Sequence, residues 1–278
     1  MKTRNYGFNV GCVVAMCGCF AMGQTPPMWN HNPTAQNGPL HWGGVTASYA
    51  TCGNAPLGLP NMVAVGKTQT PVDIVTANAV LALLPEIDFE YNNTAFEVEN
   101  TGHVVEVLYA AGSSVRLGDA VTDIYQLIQF HFHAPSEHTI DGKQYDAELH
   151  LVHQNVLGQL AVVGVLLSMS PTAPGSVFDE IVMTAPMTVG TGQREGLSLN
   201  ANSLLPADQD YFTYAGSLTT PPCSEGVRWF VMQTPVSVSA YVIQQLHMVA
   251  GQFPGYNGFA NNNRPVVPLN GRTILSTF

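Results

Sequence analysis

Histidines are concentrated in one part of this chain. Five of the nine fall between residues 131 and 153, and the first two stand two apart in the segment QFHFH. Side chains two apart on a β-strand project from the same face, so His131 and His133 are expected side by side, with Phe130 and Phe132 against a core on the other face. Two interpretations follow: the imidazoles hold a metal ion, or they pack and hydrogen-bond inside a core.

A second strand pattern supplies a third imidazole. The turn signal Asp141-Gly142 is followed by the alternating segment AELHLVH. If the two strands pair, His150 completes a set of three, and Glu148 and Val152 flank it on the same face. Three neutral imidazoles with one open position are the arrangement of catalytic zinc sites, whereas structural sites have four protein ligands. The spacing therefore favours a catalytic zinc site.

The other two histidines of the cluster need not bind the metal. His153 stands three residues after His150 and so projects from the opposite face, where we predict a hydrogen-bonded core residue. His138 is predicted to orient Glu148 through a hydrogen bond.

The remaining pattern predicts a single, mostly-β domain that begins near residue 24. A continuous apolar run over residues 160–169 predicts a strand buried on both faces. Two helices are predicted, one beginning after Ser176 and one over residues 240–249. Further strands are predicted from alternating patterns over residues 96–109, 125–134, 147–154 and 229–234.

Composition limits the classes of partner. The chain has 278 residues, of which 46% are hydrophobic, enough for a sizeable core. Nine Lys+Arg stand against nineteen Asp+Glu, so we expect no binding of nucleic acid or anionic lipid. After the N-terminal segment no run of about 20 apolar residues occurs, and no transmembrane helix is predicted there.

Residues 1–23 have the pattern of a secretory signal peptide. Lys2 and Arg4 precede an apolar run over residues 10–22 that is too short for a membrane span, and small residues precede an expected cleavage before Gln24. We predict an exported protein, periplasmic or secreted. The alternative is an apolar leader with no export role, and lipid attachment at Cys17 or Cys19 stays open.

Removal of residues 1–23 leaves two cysteines, Cys52 and Cys223. An even number of cysteines in an exported protein predicts a disulfide, here closing a very long loop. In the chain-entropy model such a loop contributes roughly 4–5 kcal/mol of stability. The alternative is a pair of free buried thiols.

Six segments together resemble the α-class carbonic anhydrases. They span nearly the whole chain after residue 24 and read NGPLHWGG, QTPVDI, ENTGH, QFHFHAPSEHTIDGKQYDAELHLVH, YAGSLTTPPCSEGVRW and NNNRPVVPLNGR. The combination is much more specific than any one segment. The resemblance implies a catalytic domain over residues 24–278, built on a large twisted, mostly antiparallel central sheet with a few short peripheral helices and zinc at the bottom of a conical cleft.

The resemblance also assigns the metal site residue by residue. It implies that Zn²⁺ is bound by three histidine ligands, His131, His133 and His150. Gln129 is expected to accept a hydrogen bond from His131, and a backbone carbonyl near Asn262 is expected to hold His133. Glu148, itself oriented by His138, is expected to accept from His150. Such partners set the orientation and basicity of metal ligands.

The cleft around the metal is assigned in the same way. Thr219 resembles the gatekeeper hydroxyl of the family, which accepts from zinc-bound hydroxide and donates to Glu137, so that a lone pair of the hydroxide faces the substrate. Thr220 is expected beside it. The resemblance implies an apolar wall for carbon dioxide, formed by Val152, Val162, Leu218 and Trp229.

His103, in TGH, matches the proton-shuttle histidine of the family. An imidazole titrates near pH 6.5, so it can accept a proton from the site and release it to buffer. The alternative is an incidental exposed histidine. Thr101, Glu106 and His31 depart from the family pattern nearby. We expect a bend or bulge to bring Glu106 close to His103 and raise the pKa of the imidazole.

The function implied by the resemblance is that of an enzyme, a carbonic anhydrase. Zinc-bound hydroxide would attack carbon dioxide to give bicarbonate, reversibly, and His103 would carry the proton away. The partners are then small molecules, without nucleic acid and without stable membrane insertion after processing, and the protein is a monomer or homodimer. The alternatives are a catalytically weak carbonic-anhydrase-like binding module and a zinc esterase.

Overall fold

The computed structural model describes residues 28–53, 67–173, 175–192, 196 and 198–278. The predicted signal peptide lies outside these residues. Within the described ranges no helix is long and apolar enough to cross a membrane.

Strands predominate over helices in the described part of the chain. The α-helices in the described ranges are α1 (Trp42–Val45), α2 (Val177–Thr184) and α3 (Ala240–Ala250), and four short 3-10 helices accompany them. The strands are β1 (Asp73–Ile74), β2 (Val80–Leu81), β3 (Asp88–Glu90), β4 (Asn93–Asn100), β5 (Val105–Tyr109), β6 (Ser114–Arg116), β7 (Ile124–His133), β8 (Thr139–Ile140), β9 (Lys143–Gln144), β10 (Ala147–Gln154), β11 (Leu160–Met169), β12 (Gly190–Thr191), β13 (Ser198–Asn200), β14 (Tyr211–Ser217), β15 (Glu225–Met232), β16 (Val236–Val238) and β17 (Leu275–Ser276).

One large sheet organises the described residues. Its strands follow the order β12-β4-β5-β7-β10-β11-β15-β14-β17-β2, with short strands attached to β4, β7 and β11. Neighbours are antiparallel except where β11 pairs with β15 and β16 and where β17 pairs with β2. The predicted fold class, a large and mostly antiparallel sheet with a few short helices, is confirmed.

The two faces of the central strands pack against different cores. Phe130 and Leu149 belong to the larger hydrophobic cluster, which also contains the buried sides of α2 and α3. Val152 and Trp229 belong to a second cluster on the other face. Alternation along β7 and β10 produces this division, since successive side chains of a strand point to opposite faces.

The predicted pairing of the histidine-bearing strands is confirmed, with one refinement. β7 and β10 are antiparallel neighbours, and His131 lies directly opposite His150. The turn at Asp141 and Gly142 does not join these two strands. It joins the short strands β8 and β9 instead, and both turn residues have positive φ, 50° and 74°.

The prediction of one alternating strand over residues 96–109 is wrong. This segment contains the end of β4, a turn and β5, which pair antiparallel. The turn forms because the side chain of Asn100 accepts a hydrogen bond from the backbone N–H of Gly102 at 2.8 Å, while Gly102 adopts a φ of +88° that favours glycine. His103 therefore stands in a turn, and Glu106 in a strand.

Both predicted helices are present. Ser176 precedes α2, and the Asp179 carboxylate accepts from its backbone N–H at 2.9 Å. Ser239 caps α3 by accepting from the backbone N–H of Val242 at 3.3 Å. The two helices cover the larger core from one side.

Candidate active site

Three imidazoles converge on one face of the central sheet. His131 and His133 come from β7 and His150 from β10, and nitrogen atoms of the three rings lie within 4.8 Å of one another. The ring centroids are separated by 5.1, 5.2 and 4.8 Å. Strand register causes this convergence, because His150 is paired with His131 and the next histidine of β7 is two residues away on the same face.

Each ring directs its other nitrogen to an oxygen acceptor. His131 Nδ1 donates to Gln129 Oε1 at 2.8 Å, and His133 Nδ1 donates to the carbonyl oxygen of Asn262 at 2.7 Å. His150 Nε2 donates to Glu148 Oε1 at 2.9 Å. These bonds fix the tautomers and leave His131 Nε2, His133 Nε2 and His150 Nδ1 bare.

The bare nitrogens fit a metal ion. His133 Nε2 is buried and has no hydrogen-bond partner within the described residues. Burial lowers the pKa of His133, and it lowers the pKa of His131 well below its usual value, so both rings are neutral at pH 7. Neutral imidazoles with free nitrogen lone pairs are metal ligands, and three of them suit zinc.

Glu148 is the centre of a buried hydrogen-bond network behind the three rings. Its Oε2 accepts from the backbone N–H groups of Glu137 and His138 at 2.9 and 2.8 Å. Its Oε1 also accepts from His138 Nδ1 at 2.6 Å, and Nε2 of the same ring contacts the Tyr214 hydroxyl at 2.6 Å. Burial alone raises the pKa of the Glu148 carboxyl, but interactions with His138 and His150 outweigh it and hold the pKa well below its usual value.

The expected hydrogen bond from Thr219 to Glu137 is not formed. Glu137 Oε1 accepts from the backbone N–H of Arg264 at 2.7 Å, while Oε2 is buried and without a hydrogen-bond partner among the described residues. This oxygen lies 3.9 Å from His150 Nδ1. Thr219 is buried, and Thr220 after it is partly exposed in a turn closed by the backbone N–H of Cys223.

An apolar surface adjoins the three histidines across neighbouring strands. Val152 of β10 pairs with Val162 of β11, which pairs with Trp229 of β15. All three side chains are buried in one cluster, and Leu218 packs against it. The Trp229 ring contacts His150, with centroids 4.8 Å apart.

His103 stands apart from the three-histidine group, in the turn between β4 and β5. Its ring stacks on Trp29, with centroids 3.8 Å apart and planes 7° from parallel. Burial lowers its pKa to about 4. The expectation that Glu106 raises this pKa is wrong, since burial is the resolved cause and acts in the other direction. Glu106 itself has its pKa raised to about 7, first by burial and then by Glu99 across the strand pair.

Two other groups of potential ligand atoms overlap the three-histidine group within the described ranges. They consist of His31, His133 and Glu137, and of His138, Glu148 and His150. The atoms of the latter group are already hydrogen-bonded to one another. The group of His31, His133 and Glu137 shares His133 with the three-histidine group, so the two groups cannot bind metal ions independently.

The disulfide predicted from the cysteine count is present. Cys52 and Cys223 are bonded across a sequence separation of 171 residues. The bond connects the segment that follows α1 to the turn after Thr219. Arg264, which is buried, donates from Nη2 to the carbonyl oxygen of Cys52 at 2.8 Å.

Sequence reasoning missed three contributions to the site. The side chain of Asn262 accepts from the backbone N–H of Ala134 and donates to carbonyl oxygens of Phe132 and His103, so it joins the turn that holds His103 to β7. The stacking of Trp29 and the buried hydroxyl of Tyr256 near His103 were also missed. Of these three residues, only Tyr256 could have been noticed from the sequence, as an aromatic residue within a Gly- and Pro-rich loop.

Comparisons with known proteins agree on one family. A family model for eukaryotic-type carbonic anhydrase matches residues 37–278. The carbonic anhydrase of Nostoc sp. is 38% identical over 242 residues, covering 86% of this chain and 82% of that protein. That of Pectobacterium atrosepticum is 32% identical over 263 residues, covering 94% and 96%. The α-carbonic anhydrase of Thermovibrio ammonificans, solved with the inhibitor sulfanilamide, superimposes with a TM-score of 0.77 at 35% identity, covering 90% of this chain and all of that one.

The mostly antiparallel sheet and the three converging imidazoles agree with these comparisons. The chain belongs to the eukaryotic-type, or α, carbonic anhydrase family. The resemblance stated from the sequence motifs is confirmed, and so is the expectation of an enzyme of this class.

Proposed function

We propose that this protein catalyses the zinc-dependent, reversible hydration of carbon dioxide to bicarbonate and a proton. One observation carries the proposal: a nitrogen from each of His131, His133 and His150 lies within 4.8 Å of the other two, and the buried His133 Nε2 has no hydrogen-bond partner among the described residues. Three nitrogen ligands leave a fourth position for a reactant, which distinguishes a catalytic from a structural zinc site.

His131, His133 and His150 would hold the metal, and their hydrogen-bonded partners would keep each ring oriented. When bound, zinc supplies hydroxide at neutral pH, because it lowers the pKa of water to about 7, the value established for carbonic anhydrases generally. Glu148 would act on the metal through its hydrogen bond with His150. As an anionic acceptor for His150 it raises the basicity of that ligand.

Thr219 is proposed to orient the nucleophile. Its hydroxyl has one proton, and the buried Glu137 Oε2 receives no hydrogen bond from the described part of the chain. If Thr219 donates to Glu137, only its lone pairs face the reacting oxygen, which must then direct its own proton to Thr219. This hydrogen-bond arrangement leaves a lone pair of the reacting oxygen directed at the carbon atom of the substrate. Thr220 is proposed to line the same end of the cleft.

The apolar surface of Val152, Val162, Leu218 and Trp229 is proposed as the carbon dioxide site. Carbon dioxide is nonpolar and forms few hydrogen bonds, so an apolar wall beside the nucleophile suits it better than a polar one. His103 is proposed as the residue that takes the product proton from the cleft and releases it to buffer, and its pKa of about 4 favours the release over the acceptance of that proton.

We also propose that residues 1–23 are a signal peptide and that residues 24–278 act outside the cytoplasm, in the periplasm or as a secreted protein, as monomer or homodimer. The Cys52–Cys223 disulfide supports export, because such bonds persist in oxidising compartments.

Stopped-flow assays of carbon dioxide hydration test the function against its two alternatives. The protein should be active as purified, inactive after a chelator removes the metal, and active again after zinc is added. A catalytically weak binding module would show no hydration in any of these states. A zinc esterase would hydrolyse an activated ester with the same metal dependence but would hydrate carbon dioxide poorly.

A further inference from the structure

Tyr256 places one hydroxyl group between two histidines. It lies in the loop after α3, is 1% exposed, and is anchored by backbone hydrogen bonds with Phe253 and Phe259. Its hydroxyl oxygen lies 2.5 Å from His31 Nδ1 and 3.3 Å from His103 Nδ1. The hydroxyl has one proton and two lone pairs, so it can donate to only one of the two rings, and the other ring must then donate to it.

The two distances indicate which ring accepts. Hydrogen bonds from O–H donors are on the whole shorter than those from N–H donors. The short contact with His31 therefore fits Tyr256 as donor. Its lone pairs then face His103, whose Nδ1 must carry a proton to complete the longer contact.

We infer that Tyr256 is a positioning residue for His103, which it holds as the Nδ1–H tautomer with Nε2 as the proton-accepting atom. Trp29 fixes the plane of the same ring by stacking 3.8 Å away. His31 acts on His103 indirectly. It accepts the hydrogen bond from the Tyr256 hydroxyl, which could otherwise donate to His103 Nδ1. The inference rests on the proposed function, in which His103 exchanges the product proton.

The arrangement suits a group that must gain and lose a proton repeatedly. After Nε2 accepts a proton, Nδ1–H still donates to the Tyr256 oxygen, so neither ring nor hydroxyl has to turn. The backbone is held as well, since Asn262 Nδ2 donates to the His103 carbonyl oxygen at 3.1 Å. A fixed ring avoids the reorientation that a free side chain would need before each transfer.

The test compares Tyr256→Phe and His31→Phe with Tyr241→Phe, which removes an exposed hydroxyl from α3. In the wild-type protein, ¹⁵N NMR of labelled histidine should show His103 as Nδ1–H. Tyr256→Phe should shift it toward Nε2–H by removing the acceptor. His31→Phe should do the same by freeing the Tyr256 proton to donate to Nδ1. Tyr241→Phe should leave the spectrum unchanged.

Kinetics give a second readout. In dilute buffer kcat of Tyr256→Phe should fall roughly threefold to tenfold, a part of the 10²–10⁴ that acid–base catalysis contributes. The ratio kcat/KM should stay within about twofold because it precedes proton release, and added imidazole should restore kcat. An unchanged His103 tautomer in both test variants would overturn the inference, as would an unchanged kcat in dilute buffer. A wild-type protein without hydration activity would instead overturn the proposed function, while the tautomer measurement still decides whether Tyr256 holds His103.

Discussion

His150 and His153 lie three residues apart on β10, and both are buried, yet their rings face opposite sides of the sheet. His150 contacts the other two imidazoles and Trp229. His153 stacks on Tyr91 in the larger core and shares a 2.7 Å hydrogen bond with its hydroxyl. These two histidines are equally buried but have different contacts, because side chains three residues apart on a strand project from opposite faces.

This pair provides a matched test of the metal site. His150→Ala should lower zinc affinity by more than about 100-fold, since loss of a ligand must exceed the 10–100-fold cost of losing a ligand's partner. His153→Ala should retain zinc and instead reduce the free energy of unfolding, because it leaves the Tyr91 hydroxyl buried without its partner. Metal analysis after dialysis and chemical denaturation measure the two effects. Metal loss from the His153 variant alone would contradict the assignment by strand face.

Strand periodicity predicted the faces of β7 and β10 correctly because that information is local. The turn at His103 was missed since it depends on a hydrogen bond from the backbone N–H of Gly102 to the Asn100 side chain and not on alternation. The link from His133 to Asn262 spans 129 residues, so no local pattern could reveal which asparagine of the NNN run it uses. Family resemblance identified the neighbourhood of that link but not the hydrogen bonds made by the Asn262 side chain.

The Cys52–Cys223 disulfide is predicted to stabilise the fold and the Thr219 turn together. Protein that begins at Gln24 should contain no free thiol when it is unfolded without reductant. Cys223→Ala should reduce the free energy of unfolding by roughly 2–5 kcal/mol, as expected for a disulfide that closes a long loop. We expect kcat/KM to fall as well while zinc stays bound, because the turn that carries Thr219 is loosened but the three histidines lie on other strands. Two titratable thiols would contradict the bond.

Glu106 is predicted to make stability depend on pH. Its folded pKa of about 7 lies above the value near 4.3 of an unfolded glutamate. The folded state therefore binds more protons between these values, and stability contributed by the neutral carboxyl is lost as pH rises from about 4.3 to 7. Glu106→Gln should remove this dependence, so the variant gains up to about 3 kcal/mol relative to wild type between pH 4.5 and pH 8.

Unfolding in denaturant at several pH values measures the effect of Glu106. Glu97→Gln removes an exposed carboxylate from β4 and controls for the change in net charge. Equal pH profiles for the Glu106 variant and wild type would mean that Glu106 is ionised in the folded protein near its ordinary pKa. The pKa of His103 should be nearly the same in both, since burial is what lowers it.

Asn262 is predicted to couple the turn that holds His103 to the three-histidine group. Asn262→Ala removes an acceptor for the Ala134 N–H at 2.8 Å and donors to the Phe132 and His103 carbonyl oxygens at 3.0 and 3.1 Å. Buried backbone groups left without partners cost about 1–3 kcal/mol each, so we expect the free energy of unfolding to fall by roughly 2–4 kcal/mol.

The zinc affinity of Asn262→Ala should fall about tenfold, because the Asn262 carbonyl that holds His133 is then less well positioned. Its kcat in dilute buffer should fall further than kcat/KM, since the backbone of His103 also loses a hydrogen bond. Asn263→Ala is the matched control, because the neighbouring asparagine is only partly buried. Denaturation, competition with a zinc chelator and stopped-flow kinetics measure the three effects. If Asn262→Ala and Asn263→Ala have equally small effects on stability, zinc affinity and kcat, Asn262 does not couple His103 to the three-histidine group.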